Sequence, residues 1–66
     1  MIPEPIQEAI TKVGGTIQSY MPVCEGSCHY IVIFAAPEEV AKVDGAASFA
    51  RRADGSYRAD FILKGE

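Results

Sequence analysis

A chain of 66 residues that is 48% hydrophobic and 23% charged, with a formal net charge of −3, is one domain at the small end of what folds unaided. The composition excludes a disordered polar tract, and the negative balance disfavours general attraction to nucleic acid or anionic lipid. The longest apolar run, residues 30 to 37, is far shorter than the roughly 20 residues of a membrane-spanning helix.

Residues 1–66 are expected to form a single small α+β domain. The opening Met1-Ile2-Pro3-Glu4-Pro5 lacks the basic and apolar regions of a signal peptide, so a cytoplasmic location of bacterial type, away from any membrane, is the expectation. A core this thin often needs a staple: a disulfide, a metal or a second subunit.

Residues 3 to 13 read as a helix, with Ile2, Ile6, Ile10 and Val13 at helical spacing. Pro3 and Pro5 suit the first turn, Glu4, Glu8 and Lys12 complement the helix dipole, and Gly14-Gly15 supplies the stop. Residues 16 to 23 read as a strand with Ile17, Ser19, Met21 and Val23 on one face. Pro22 has no N–H to donate, which places that strand at an edge or Pro22 near the strand's own end. Glu25-Gly26-Ser27 is a turn. Residues 28 to 35 form the strongest strand signal, β-branched and aromatic on both faces, as a central strand requires.

Residues 37 to 44 read as a short second helix, opened by Pro37 and Glu38-Glu39 and closed by Gly45. Its apolar face is only Val40, Ala41 and Val43. The last third reads as a hairpin centred on Asp54-Gly55. A two-residue turn would oppose Phe49 to Asp60 and Arg51 to Arg58, which is unfavourable. A three-residue turn, Ala53-Asp54-Gly55, instead aligns Ala47, Phe49 and Arg51 with Tyr57, Ala59 and Phe61, leaving Ser48, Arg52, Arg58 and Asp60 on the other face. The expected architecture is therefore α-β-β-α-β-β: a four-stranded antiparallel sheet with two helices on one face.

The local constellation with most chemical potential is Cys24-Glu25-Gly26-Ser27-Cys28-His29. Residues flanking a short hairpin loop face each other at roughly 4.5–5.5 Å between Cα atoms, within disulfide reach. Cys24, Cys28 and His29 also offer three ligands to zinc or a softer ion, although neighbours on a strand point to opposite faces. The string resembles the Cys-x-x-Cys-His haem-attachment pattern of c-type cytochromes, lengthened by one residue. A small domain of hairpins is a poor host for haem, and no cofactor is expected. The alternative is two semi-buried cysteines beside a turn.

Arg51, Arg52, Arg58 and Lys64 concentrate on the terminal hairpin with Tyr57. Basic and aromatic residues on a strand can bind single-stranded nucleic acid, but edge strands also carry such charges to block aggregation, and the net negative charge makes a nucleic-acid partner the weaker expectation. Tyr30, Val32 and Phe34 point one way along their strand, and Ile31, Ile33 and Ala35 the other. Two short helices cover only one face, and pairing into a homodimer would cover the rest.

Catalytic inventory is poor: one His, no Gly-rich phosphate loop and no separated nucleophile–base pair. The leading expectation is a non-enzymatic binding or regulatory module acting through protein–protein contact and self-association. The alternatives are a thiol redox or metal-binding protein using Cys24, Cys28 and His29, and a single-stranded nucleic-acid accessory protein using Arg51, Arg52, Tyr57 and Arg58.

Overall fold

The structure is a computed structural model that describes residues 2 to 63. It contains one helix, α1 (Glu4–Lys12), and four strands, β1 (Thr16–Glu25), β2 (Ser27–Ala35), β3 (Ser48–Arg51) and β4 (Tyr57–Leu63). The strands form one sheet in the order β1-β2-β4-β3, antiparallel at every pairing.

Helix α1 forms where the spacing places it. The Pro3 carbonyl accepts the N–H groups of Ile6 and Gln7, each at 3.1 Å. At the other end, Gly14 takes φ +75°, and the N–H groups of Gly14 and Gly15 return to Thr11 and Ile10, both at 2.9 Å. This is a Schellman closure, and it needs a residue without a Cβ penalty in the left-handed region. Ile6, Ala9 and Ile10 are buried against the sheet. Gly15 is confined for a different reason: a Cβ there would stand 2.7 Å from the Phe34 ring and 2.8 Å from Ile10 Cγ2.

Strand β2 is central, as its two-faced apolar pattern implies, and β1 is an edge, as Pro22 implies. The terminal hairpin adopts the three-residue turn. Phe49 pairs with Ala59, Ala50 with Arg58 and Arg51 with Tyr57, and Arg52 and Ser56 are joined at 2.8 Å across the turn. Asp54 Oδ1 accepts from the Ser56 N–H at 2.9 Å and from its hydroxyl at 2.6 Å, an Asx-type arrangement that fixes the bend.

Two expectations are corrected. The second helix does not form: residues 36 to 47 run as an irregular strap. A helix of eight residues with a sparse, β-branched apolar face cannot repay its nucleation, and a tertiary contact claims its backbone. The Val40 N–H, which a helical turn would direct to Ala36, donates to Tyr57 Oη at 3.1 Å. Val40 and Val43 are buried all the same. The strap therefore does the covering that the helix was expected to do, on the same face as α1. The fold is thus a four-stranded antiparallel sheet with one helix rather than two.

The second correction concerns β1. The register slips between Ile17, opposite Phe34, and Ser19, opposite Ile33. Gln18 is the extra residue of a bulge. Ile17 consequently joins the covered face and packs on the core, while Ser19, Met21 and Val23 face away.

The core is one-sided. Ile6, Ala9, Ile10, Val40 and Val43 pack onto Val32, Phe34, Tyr57, Ala59 and Phe61. Phe34 is fully buried, with its ring 5.4 Å from Tyr57, which lies 5.6 Å from Phe49. Such stacks add to simple area burial.

Two substitutions probe this packing. Gly15→Ala is expected to destabilise by about 1–3 kcal/mol through overpacking. Tyr57→Phe keeps the stack but orphans the Val40 N–H and is expected to cost about 1–3 kcal/mol. Urea unfolding curves measure both, and wild-type stability in either variant contradicts the packing described.

Candidate functional site

The covered face uses up α1 and the strap, and among the described residues no layer lies on the opposite face of the sheet. Strand parity and register assign its residues. Val23, His29 and Ile62 form one row across the sheet. Met21, Ile31, Asp60 and Ser48 form the next, and Ser19, Ile33, Arg58 and Ala50 the third. Met21, Val23 and Ile62 are 57%, 43% and 55% exposed, and Ile31 and Ile33 are half-buried. Exposed apolar residues are ordinary when scattered. Here five share one surface.

Arg58 and Asp60 on this face are paired. Arg58 donates to Asp60 through Nε at 2.9 Å and through an Nη at 3.1 Å, a two-point contact. Asp60 is buried. The Arg58 guanidinium holds its carboxyl below the usual range, with a smaller contribution from His29 and with burial opposing both. His29 Nε2 lies 3.5 Å from Asp60 Oδ2. That nitrogen is buried and has no hydrogen-bond partner among the described residues.

At the far end of the β1–β2 hairpin, Cys24 and Cys28 are joined in a disulfide, with Cα atoms 4.1 Å apart. That is slightly closer than the spacing expected from sequence. Gly26, φ +89°, stands alone at the apex between the paired Glu25 and Ser27. Closing so short a loop removes little unfolded-chain entropy, on the order of 2 kcal/mol in the chain-entropy view. The two sulfurs bond to each other while His29, next along the strand, turns to the opposite face beside Asp60. The three candidate ligands Cys24, Cys28 and His29 thus separate into two features. Among the described residues no group of three His, Cys, Asp or Glu side chains is placed to hold a metal ion.

The basic cluster is also dispersed. Tyr57 is buried at 3% exposure, stacked between aromatics and holding the strap, so it presents no free ring. Arg58 faces the open side on Asp60. Arg52 turns to the loop, 3.3 Å from Ser56 Oγ and 3.9 Å from Asp54. Arg51 is exposed at the end of β3, and Lys64 lies outside the described residues. Asp60 is the residue that sequence reasoning undervalued. The i, i+2 spacing of Arg58 and Asp60 was a usable signal for their contact, but the approach of His29 depends on the β2–β4 register, which the sequence does not display.

The covered side carries an open groove of about 360 Å³ between α1 and β1, lined by Ile2, Gln7, Ile10, Thr11, Gly15 and Ile17. Its lining is mostly apolar and brings no nucleophile to a base. Among the described residues no helix is long and apolar enough to cross a membrane. Searches of protein-family profiles, curated proteins and solved structures find no match to this chain.

The Asp60 carboxyl sets a pH dependence. Its folded-state pKa is lowered, so its stabilisation is complete above the ordinary carboxylate value, about 3.9, and is lost as pH falls through the lowered folded value. Asp44 and Asp54 are lowered as well, by Lys12 and by Ser56 respectively. Asp60→Asn is therefore expected to make the acid limb of the stability–pH curve shallower without flattening it. Thermal melts between pH 7 and pH 2 read this. An unchanged acid limb in the variant contradicts the Arg58–Asp60 coupling.

Proposed function

We propose that the chain is a non-enzymatic binding or regulatory module that acts by protein–protein contact, and that its open sheet face pairs with a second copy of itself. The observation that carries this reading is the shared exposure of Met21, Val23 and Ile62, beside half-buried Ile31 and Ile33, on a face that no described element covers.

Charge distribution favours a second copy as the occupant. With a net charge of −3, two chains repel in most orientations. Five exposed acids, Glu4, Glu8, Glu38, Glu39 and Asp44, belong to α1 and the strap, on the far side of the sheet, and Asp54 sits in the terminal turn. On the open face, Asp60 is neutralised by Arg58 at 2.9 Å, which leaves Glu25, opposite Ser27 at the hairpin tip, as the other acid of that face among the described residues. Face-to-face pairing therefore brings together the sides least burdened with negative charge, and a two-fold contact sets the same apolar patch against itself.

Area sets the strength. Four strands about 4.8 Å apart, with about 3.3 Å per residue, give a sheet face on the order of 500 Å². Stable interfaces take roughly 800 Å² from each partner. The dimer is accordingly weak, with dissociation in the micromolar range or above.

One observation favours a second reading, a thiol redox role: the bond between Cys24 and Cys28. It is compatible with the first and bears on the same hairpin. The nucleic-acid reading has no comparable support, because Tyr57 is buried.

Sedimentation velocity over a concentration series tests the main reading. A shift from monomer toward dimer between about 10 µM and 1 mM is expected. Met21→Lys and Ile62→Lys, both at exposed positions, should weaken that shift at least tenfold while leaving the unfolding midpoint nearly unchanged. A strict monomer at millimolar concentration contradicts the proposal.

A further inference from the structure

We propose that the Cys24–Cys28 disulfide is a redox clip that governs the open face by holding the outer half of β1 in the sheet. This inference rests on the binding role proposed for that face.

The argument is one of local support. Residues 21 to 27 are all exposed. Strand β2 is paired on both sides as far as Cys28, opposite Leu63, whereas the outer part of β1 has β2 as its only strand neighbour among the described residues. Helix α1 packs beside the beginning of β1, where Ile17 joins the core. Beyond Tyr20, whose ring stacks on Tyr30 at 6.1 Å, the disulfide is the covalent tie. Strand ends supported on one side alone open at low free energy. Met21 and Val23, two of the three most exposed apolar residues of the open face, lie in this segment.

The narrow 4.1 Å Cα separation marks Cys24 and Cys28 as a pair without mutual ladder bonds. The adjacent pair Val23–His29, and by alternation Met21–Ile31, then carry those bonds. The bonds nearest the clip are therefore those that position the two apolar side chains.

The chemistry requires a dithiol reductant. One of its thiolates attacks a sulfur of the Cys24–Cys28 bond, forming a mixed disulfide and releasing the other cysteine as a thiolate. The second thiol of the reductant then displaces the first cysteine and closes its own disulfide. Two electrons and two protons pass to the protein, leaving Cys24 and Cys28 as thiols. The hairpin tip then frays, and Met21 and Val23 leave the face. Exchange with a disulfide oxidant, the same two displacements in reverse, returns the two electrons and protons to it and restores the clip.

Amide hydrogen exchange on the full chain tests this, comparing the oxidised protein, the protein reduced by dithiothreitol, and the double variant Cys24→Ala/Cys28→Ala. The expected result is at least a tenfold faster exchange at Met21 and Val23 in the reduced and variant forms, with less than a twofold change at Val32 and Ala59. The reduced form should also dimerise at least tenfold more weakly. Unchanged exchange at Met21 and Val23 overturns the proposal. So does a uniform loss of protection across the chain, which identifies the disulfide as a global staple. Equal dimerisation in the two redox states overturns the control of the face. A monomeric oxidised protein whose tip still loosens on reduction instead removes the self-pairing role, so the two failures are told apart.

Discussion

The crossing of β4 by the link between β2 and β3 sets the rest of the structure. Both β2 and β3 run antiparallel to β4, which lies between them, so β2 and β3 are parallel to each other. A parallel pair cannot be joined by a hairpin. The chain must pass over one face of the sheet, and the strap of residues 36 to 47 does so, fixed by the hydrogen bond from Val40 to Tyr57 Oη at 3.1 Å. Helix α1 fills the remainder of that face through Ile6 and Ile10. With both covering elements on one side, no described element lies on the other.

Much of this was legible from residue types. The two-sided apolar run of β2 called for a central position, and Pro22 called for an edge or a strand end, of which the structure takes the edge. Parity at the terminal hairpin selected the three-residue turn, because the alternative opposed Arg51 to Arg58. The strap was legible as a covering element but not in its conformation. Pro37, the acidic pair and Gly45 are helix punctuation, yet punctuation cannot supply the packing that an eight-residue helix needs, and Tyr57, distant in sequence, claimed the backbone donor. The bulge at Gln18 left no local signal either. It is set by the need to turn Ile17 onto the core while Met21 and Val23 keep their parity outside. The candidate site was legible in part: the proximity of Cys24 and Cys28 followed from the hairpin, whereas the placement of His29 beside Asp60 followed from strand order, which pattern alone does not determine.

The open face and the disulfide belong to the same hairpin. Its outer end holds few core contacts and exposes Met21 and Val23, and its tip is closed covalently. Three polar groups on this face are drawn together, with Arg58 and Asp60 satisfying each other and His29 set against them. A small domain that needs additional support commonly finds it in a covalent tie or a second subunit. Here the tie is present, and the surface suited to a subunit lies next to it.

The central claim is that the uncovered side of the sheet is where a second copy seats. The most direct measurement is a two-dimensional NMR methyl spectrum of the oxidised protein followed over increasing concentration. The account predicts progressive shifts of the Met21, Val23, Ile31, Ile33 and Ile62 methyls, with those of Ile6, Ile10 and Val40 fixed. Shifts confined to the α1 side, or none up to millimolar concentration, would contradict it.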